Sequence, residues 1–146
     1  MAATLVDTNV TLRLLQPQHP HYQIAVAALT KLRGQGTDLC VAVQNLIEFW
    51  VVATRPLVNN GLGLSPLTVA GEVRALHGIF RLLEGKTGVA ATWEQLAGQH
   101  LVSGKQAHDT HLVATMQVHS VTDILTFNVP DFSRFSGITV LDPAQF

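Results

Sequence analysis

The residues in this 146-residue chain that could do chemistry are mostly carboxylates in unusual places. In "TLVDTNV", residues 4 to 10, Asp7 follows Leu5 and Val6 with no turn residue between. Aspartate is a poor strand residue, and a buried charge is costly unless it is paired, hydrogen-bonded or bound to a metal. Glu48 interrupts the apolar run "NLIEFWVV", Asp109 sits within "AHDTHLVA", and Asn128 and Asp131 fall in "TFNVPDF". Each has an ordinary reading. Asp7, or Thr8 or Asn9 beside it, can cap the following helix; Glu48 can be the third-position capping partner of Asn45. Asp109 can share a solvated face with His108, Thr115 or His119, and N-x-x-D before an aromatic is a common turn. Taken together they admit a second reading. Clustered carboxylates repel unless a divalent cation sits among them, and hard oxygen donors suit Mg²⁺ or Mn²⁺. Such ions promote phosphodiester cleavage by activating water and neutralising the charge of the transition state.

The elements that would position these groups alternate between short β-like and longer helix-like runs, the pattern of a parallel sheet flanked by helices. Strands are expected at Thr4–Val6, "DLCVAV", "VAA", "DILTF" and "ITVLD". Helices are expected through "NVTLRLLQ", "HPHYQIAVAALTKLRGQG", "QNLIEFWVVATRP", from Ser65–Pro66 to about Leu83, from a Thr92–Gln95 capping box, and from a Ser103–Gln106 box through "KQAHDTHLVATMQVH". Asp7, Asn128 and Asp131 then lie at carboxyl ends of strands, where ligands gather in open α/β sheets. Asp38, Asp123 and Asp142 read as structural or solvated. No repeat or linker divides the chain, so one domain over residues 1–146 is expected.

An apolar fraction of 47% with 13% charged residues excludes a disordered chain. A net charge of −1 leaves a nucleic-acid partner open, because that depends on a local basic patch. The single cysteine, Cys40, excludes an internal disulfide and reads as core. No leader pattern or membrane span is seen, so the cytoplasm is the default and no membrane partner is expected. Seven histidines invite a zinc site, but His108 and His111 find no third ligand at fixed spacing. Arg13 and Lys105 lie near the acidic positions and could touch a phosphate. Arg74 and Arg81, seven apart, would form a stripe on one helix face.

"LVDTNV", "NLIEFW", "AHDTHLVA", "LTFNVPDF" and "ITVLDP", in that order, resemble the motifs of PIN-domain nucleases. More narrowly, they resemble the VapC-type toxin ribonucleases of toxin–antitoxin modules. The resemblance implies a PIN-like α/β fold with a central parallel five-stranded sheet. It also implies Mg²⁺- or Mn²⁺-dependent endoribonuclease activity that leaves a 5′-phosphate and a 3′-hydroxyl. It makes Asp7, Glu48, Asp109 and Asp131 the catalytic and metal-holding acids. Asp7 and Asp109 take the principal metal, while Glu48 and Asp131 orient waters or hold a second ion. Thr8, Asn9 and Asn128 support them. Many members have Asp where this chain has Asn128, which bears on a second metal site. RNA is the implied substrate, a cognate antitoxin the implied protein partner, and a homodimer the implied assembly. The rival readings are an inactive PIN-like module that binds RNA or protein, and a metal-dependent phosphatase of another α/β class. Against the phosphatase, "DTNVT" lacks the second Asp of a haloacid-dehalogenase-type motif.

Overall fold

A computed structural model describes residues 2–146. Strands β1 (Ala3–Val6), β2 (Asp38–Ala42), β3 (Arg81–Leu83), β4 (Asp123–Leu125) and β5 (Thr139–Leu141) form one all-parallel sheet in the order β3-β2-β1-β4-β5. Between them run α1 (Thr8–Thr11), α2 (Tyr22–Gly34), α3 (Val43–Thr54), α4 (Pro66–His77), α5 (Val89–Gln99), α6 (Gln106–Val118) and α7 (Val129–Phe132). A 3₁₀ turn over Leu12–Leu15 continues α1.

Parallel strands buried on both faces read as unbroken apolar runs, and alternate residues serve opposite layers. Val6, Leu39, Val41 and Leu125 pack with α2, α3 and α4, through Ala28, Leu29, Phe49 and Val69. Leu5, Cys40, Ala42, Leu83 and Ile124 pack with α5, α6 and α7, through Leu96, Leu112, Met116 and Phe132. Cys40 is buried in that second layer, as its neighbours imply.

The strand order reverses between β1 and β4, which opens a crevice beyond their carboxyl ends. A helix that returns from that edge starts there, so α6, which leads into β4, begins beside the crevice. Asp7, at the end of β1, and the residues after β4 flank the reversal point.

Five sequence expectations fail in whole or part. The third strand is "RLL" at Arg81–Leu83, not "VAA", which begins α5. The apolar residues of "LHGIFRLL" carry a helical spacing, but α4 stops at His77 with Gly78 as its C-cap. Residues 81–83 then pair with Cys40, Val41 and Ala42, so tertiary pairing overrides the local period. Gly88, at φ +101°, launches α5 ahead of the expected Thr92–Gln95 box, and the following alanines are strong helix formers. Arg74 and Arg81 therefore occupy different elements and form no stripe; Arg81 bonds Asp38 at 2.7 Å instead. Of the Ser103–Gln106 box only the glutamine half exists, with the Ser103 N–H donating to Gln106 Oε1 at 3.4 Å. Ser65 does cap α4, accepting from the Thr68 N–H at 3.1 Å. Among the described residues no helix is long and apolar enough to cross a membrane.

The loop after α3 folds back tightly on the helix end. Gly61 is buried, its N–H donates to the Pro56 carbonyl at 3.0 Å, and a Cβ there would collide with the Arg55 carbonyl group. Gly61→Ala should lower stability by about 1–3 kcal/mol, the usual cost of forced overpacking. An unchanged denaturant midpoint would show that the loop yields freely.

Candidate active site

Asp7 is only 7% exposed and is held by three donors. The Thr8 N–H donates to Oδ1 at 2.8 Å, so Asp7 does cap α1. Its Oδ2 accepts from the Thr126 hydroxyl at 2.8 Å and from Asn9 Nδ2 at 3.2 Å. Thr126 is fully buried one residue past β4. Its hydroxyl accepts from Asn9 Nδ2 at 3.1 Å and from the Asn128 N–H at 3.0 Å, which uses its whole hydrogen-bonding capacity. Asn9 Oδ1 in turn accepts from the Phe127 N–H at 3.1 Å. Side chains thus bridge the two strands at the point where the sheet order reverses.

Glu48 comes from the second turn of α3 and is half-buried. Its carboxylate accepts from the Thr8 hydroxyl at 3.1 Å and from Gln44 Nε2 at 2.8 Å. Glu48 does not pair with Asn45. Asn45 takes the Ala42 N–H on Oδ1 at 2.8 Å and donates to Thr8 Oγ1 at 3.2 Å. Gln44 Nε2 also donates to the His108 carbonyl at 2.9 Å. A carboxylate and a carbonyl only accept, so the Gln44 amide orientation is fixed and its Oε1 faces His111 Nδ1 as an acceptor. Neutral His111 then carries its proton on Nδ1. Gln44 ties the first turns of α3 and α6, and with them Glu48 and Asp109.

Asp109 lies half-buried in the first turn of α6, and among the described residues its carboxylate has no hydrogen-bond partner. Asp131 is exposed in the first turn of α7. The four acids feel one another. Burial raises the Asp7 carboxyl from 3.8 to about 6 against the lowering effect of its donors, and the charges of Glu48 and Asp131 add to the rise. Asp109 also reaches about 6, through burial and then the charges of Asp131, Asp7 and Glu48. No Lys or Arg pairs with them, since the one ion pair among the described residues is Arg81 with Asp38, and only the charge of His108 acts against the rise at Asp109.

An open groove of about 1350 Å³ receives this cluster. Asp7, Thr8, Asn9, Glu48, Asp109, Asn128, Arg13 and Lys105 all line it, together with apolar Val43, Ile47 and Val51 from α3 and Val89 and Trp93 from α5. Asp131 does not line it and acts through its charge. Thr126 and Gln44 were not singled out from sequence, and Asn45 and His111 entered only as a capping partner of Glu48 and a zinc candidate. Nothing marks a threonine at a strand end or a glutamine in a first helical turn until its partners are in place.

Among the described residues, no three His, Cys, Asp or Glu side chains converge as a ready-made metal cage. The donor chemistry still fits a hard divalent ion. Mg²⁺ keeps most of its waters and takes one or two protein carboxylates. Here the carboxylates repel one another, have no Lys or Arg partner among the described residues and include an unbonded one at Asp109.

A family model for the PIN domain matches residues 4–137. The chain belongs to the PIN domain family. Solved structures share this PIN fold over nearly its full length. FitAcB from Neisseria gonorrhoeae is 24% identical, with a TM-score of 0.69 over 98% of this chain and 99% of that one. VapBC-1 from nontypeable Haemophilus influenzae is 13% identical, with a TM-score of 0.73 over 97% and 98%. VapC20 from Mycobacterium tuberculosis, described as a sarcin-ricin loop cleaving toxin, is 14% identical, with a TM-score of 0.59 over 83% and 86%. No curated protein sequence matches the chain.

The raised carboxyl pKa values fix the sign of the stability profile of this PIN domain. The native state keeps protons on Asp7 and Asp109 up to about pH 6, whereas the unfolded chain loses them near 3.8. The native form therefore binds more protons across that window, and metal-free stability falls as pH rises from about 4 to 6. Asp7→Asn should flatten the decline and stabilise the metal-free protein at pH 8 by about 1–3 kcal/mol. Denaturant titrations at pH 5 and pH 8 in a chelator check both points, and a wild type more stable at pH 8 would contradict them.

Proposed function

We propose that this PIN domain is a metal-dependent endoribonuclease and the toxin of a toxin–antitoxin pair. The observation that carries the reading is the cluster of Asp7, Glu48, Asp109 and Asp131, electrostatically coupled at the reversal point of the sheet and paired, among the described residues, with no Lys or Arg. Asp7 and Asp109 would hold a Mg²⁺ or Mn²⁺ ion, with Glu48 and Asp131 as outer acids. When bound, the ion supplies a water of lowered pKa and neutralises charge developing on the phosphoryl oxygens.

The chain's own residues prepare for this. Thr126 and Asn9 fix the Asp7 carboxylate in one orientation, as outer hydrogen-bond partners of metal ligands do. Thr8 and Gln44 hold Glu48, so its carboxylate can orient a water instead of swinging into solvent. Above about pH 6 both Asp7 and Asp109 are ionised, the form that binds a cation. Asn128 carries no charge, so the charge on that side of the cluster comes from Asp131. Arg13 and Lys105 in the groove offer cations to RNA phosphates.

The partner reading draws on the fold neighbours. They include a toxin-antitoxin complex from Klebsiella pneumoniae, and VapC20 is a toxin that cleaves the sarcin-ricin loop. The apolar residues of α3 and α5 along the groove suit a segment of an antitoxin, and a homodimer is the assembly proposed with it.

Structured RNA incubated with the protein and Mn²⁺ or Mg²⁺ should be cut, and chelation should stop it. Asp7→Asn and Asp109→Asn should each lose on the order of 10²-fold or more in rate, together with Mn²⁺ binding measured by calorimetry. Thr126→Val should weaken the metal about 10–100-fold while the fold survives. An Asp7→Asn protein that cuts as fast as wild type would overturn the assignment. Turnover of small phosphoesters alone would point to a phosphatase.

A further inference from the structure

Beside the acid cluster lies a group of side chains that the metal chemistry does not use. Arg13 lines the groove, and its guanidinium is anchored by donating from Nε to the Asn9 carbonyl at 3.2 Å and from a terminal nitrogen to Gln16 Oε1. It has no carboxylate partner, since the sole ion pair among the described residues lies elsewhere. The His21 ring stacks on Phe127, with centroids 4.5 Å apart and planes 14° from parallel. His19 lies 5.3 Å from His21, and its Nδ1 accepts the His21 N–H at 3.0 Å. With Nδ1 an acceptor, the neutral His19 ring carries its proton on Nε2 and can donate from there. Partial burial, then the charges of Arg13 and His21, lower the His19 pKa, which places the three groups in one electrostatic neighbourhood.

Two links join this group to the acids. Asn9 gives its carbonyl to Arg13 and its amide to Asp7, and Asn9 Oδ1 takes the Phe127 N–H at 3.1 Å. Phe127 itself follows Thr126, the donor to Asp7. An anion resting on Arg13 is thus one residue removed from the carboxylates. Uncompensated acids repel a polyanion, so a strand that enters needs cations and stacking surfaces close by. His21 is exposed, which leaves ring surface for a base.

We propose that Arg13, His19, His21 and Phe127 form a shelf for the nucleotide that flanks the scissile phosphate. Arg13 and His19 donate to its phosphate, and His21, backed by Phe127, stacks on its base. This rests on the nuclease reading above. Single-stranded loops with splayed bases are the RNA elements that such a surface takes.

The test separates the two readings. In an Asp7→Asn background that binds without cutting, the probe is a hairpin RNA with a mixed-sequence single-stranded loop, followed by fluorescence anisotropy. His21→Ala should weaken binding by about 3–10-fold and His21→Phe should restore it, because stacking does not need the charge. Arg13→Gln should weaken binding and reduce the salt dependence by about one phosphate contact. Arg33→Gln, at the opposite edge of the sheet, is the control and should change nothing. Equal binding by the His21→Ala, Arg13→Gln and parent proteins would overturn the shelf and leave the nuclease standing. Failure of the parent to bind any RNA would remove both. Loss of thermal stability in His21→Ala with unchanged binding would mark the stack as packing alone and also overturn the shelf.

Discussion

The constraint on which this structure depends is the burial of an uncompensated carboxylate between two central strands. Asp7 receives the Thr126 hydroxyl, the Asn9 amide and the Thr8 N–H, enough donors to satisfy most of its lone pairs. Those bonds alone would pull its pKa down. It nevertheless lies near 6, because desolvation and the neighbouring acids outweigh three hydrogen bonds. Carboxylates in protein cores are ordinarily paired with Arg or Lys, and here none is. The polar scaffold therefore orients the charge without neutralising it. On the proposed reading, neutralisation would come from a divalent cation, an agent of the right sign and hardness.

Much of this was legible in the chain because it followed from local rules. Asp7 after "LV" and Glu48 inside "NLIEFWVV" are conflicts between residue type and setting, and such conflicts mark sites. The five-strand count and parallel class followed from the alternation of short and long apolar runs. Where reading failed, the deciding information was nonlocal. Arg81–Leu83 is a strand only because β2 offers an edge to pair with, whereas its own spacing favours a helix. Thr126, Gln44 and Asn45 acquire meaning from partners dozens of residues away, such as Thr126 with Asp7 and Gln44 with His111. A single sequence shows the donors but not whom they meet.

The groove divides into two chemistries. Along α3 and α5 it presents Val43, Ile47, Val51, Val89 and Trp93, a surface suited to apolar side chains of a protein. On another side it presents Arg13, and the stacked rings of His21 and Phe127 lie outside its lining. On the proposed reading the acids lie at the junction of these two surfaces. A protein segment bound along the apolar side and an RNA strand entering from the cationic side would then compete for the same carboxylates, and inhibition would need no conformational change.

The four acids also differ in how firmly they are held. Asp7 is fixed by three donors, and Glu48 by two that span α1 and α3. Asp109 has no bond among the described residues, and Asp131 stands exposed on a four-residue helix. One half of the site is tied by hydrogen bonds and the other, among the described residues, is not. That asymmetry goes with the absence, among the described residues, of a ready-made three-ligand cage of His, Cys, Asp or Glu side chains. On the proposed reading, Asp7 and Glu48 would be held in place before a cation arrives, and Asp109 and Asp131 would complete its surroundings. On that reading, the firmly held Asp7 would set where a cation docks, while Asp109, its pKa also raised to about 6, adds to the repulsion that the metal-free protein bears above that pH.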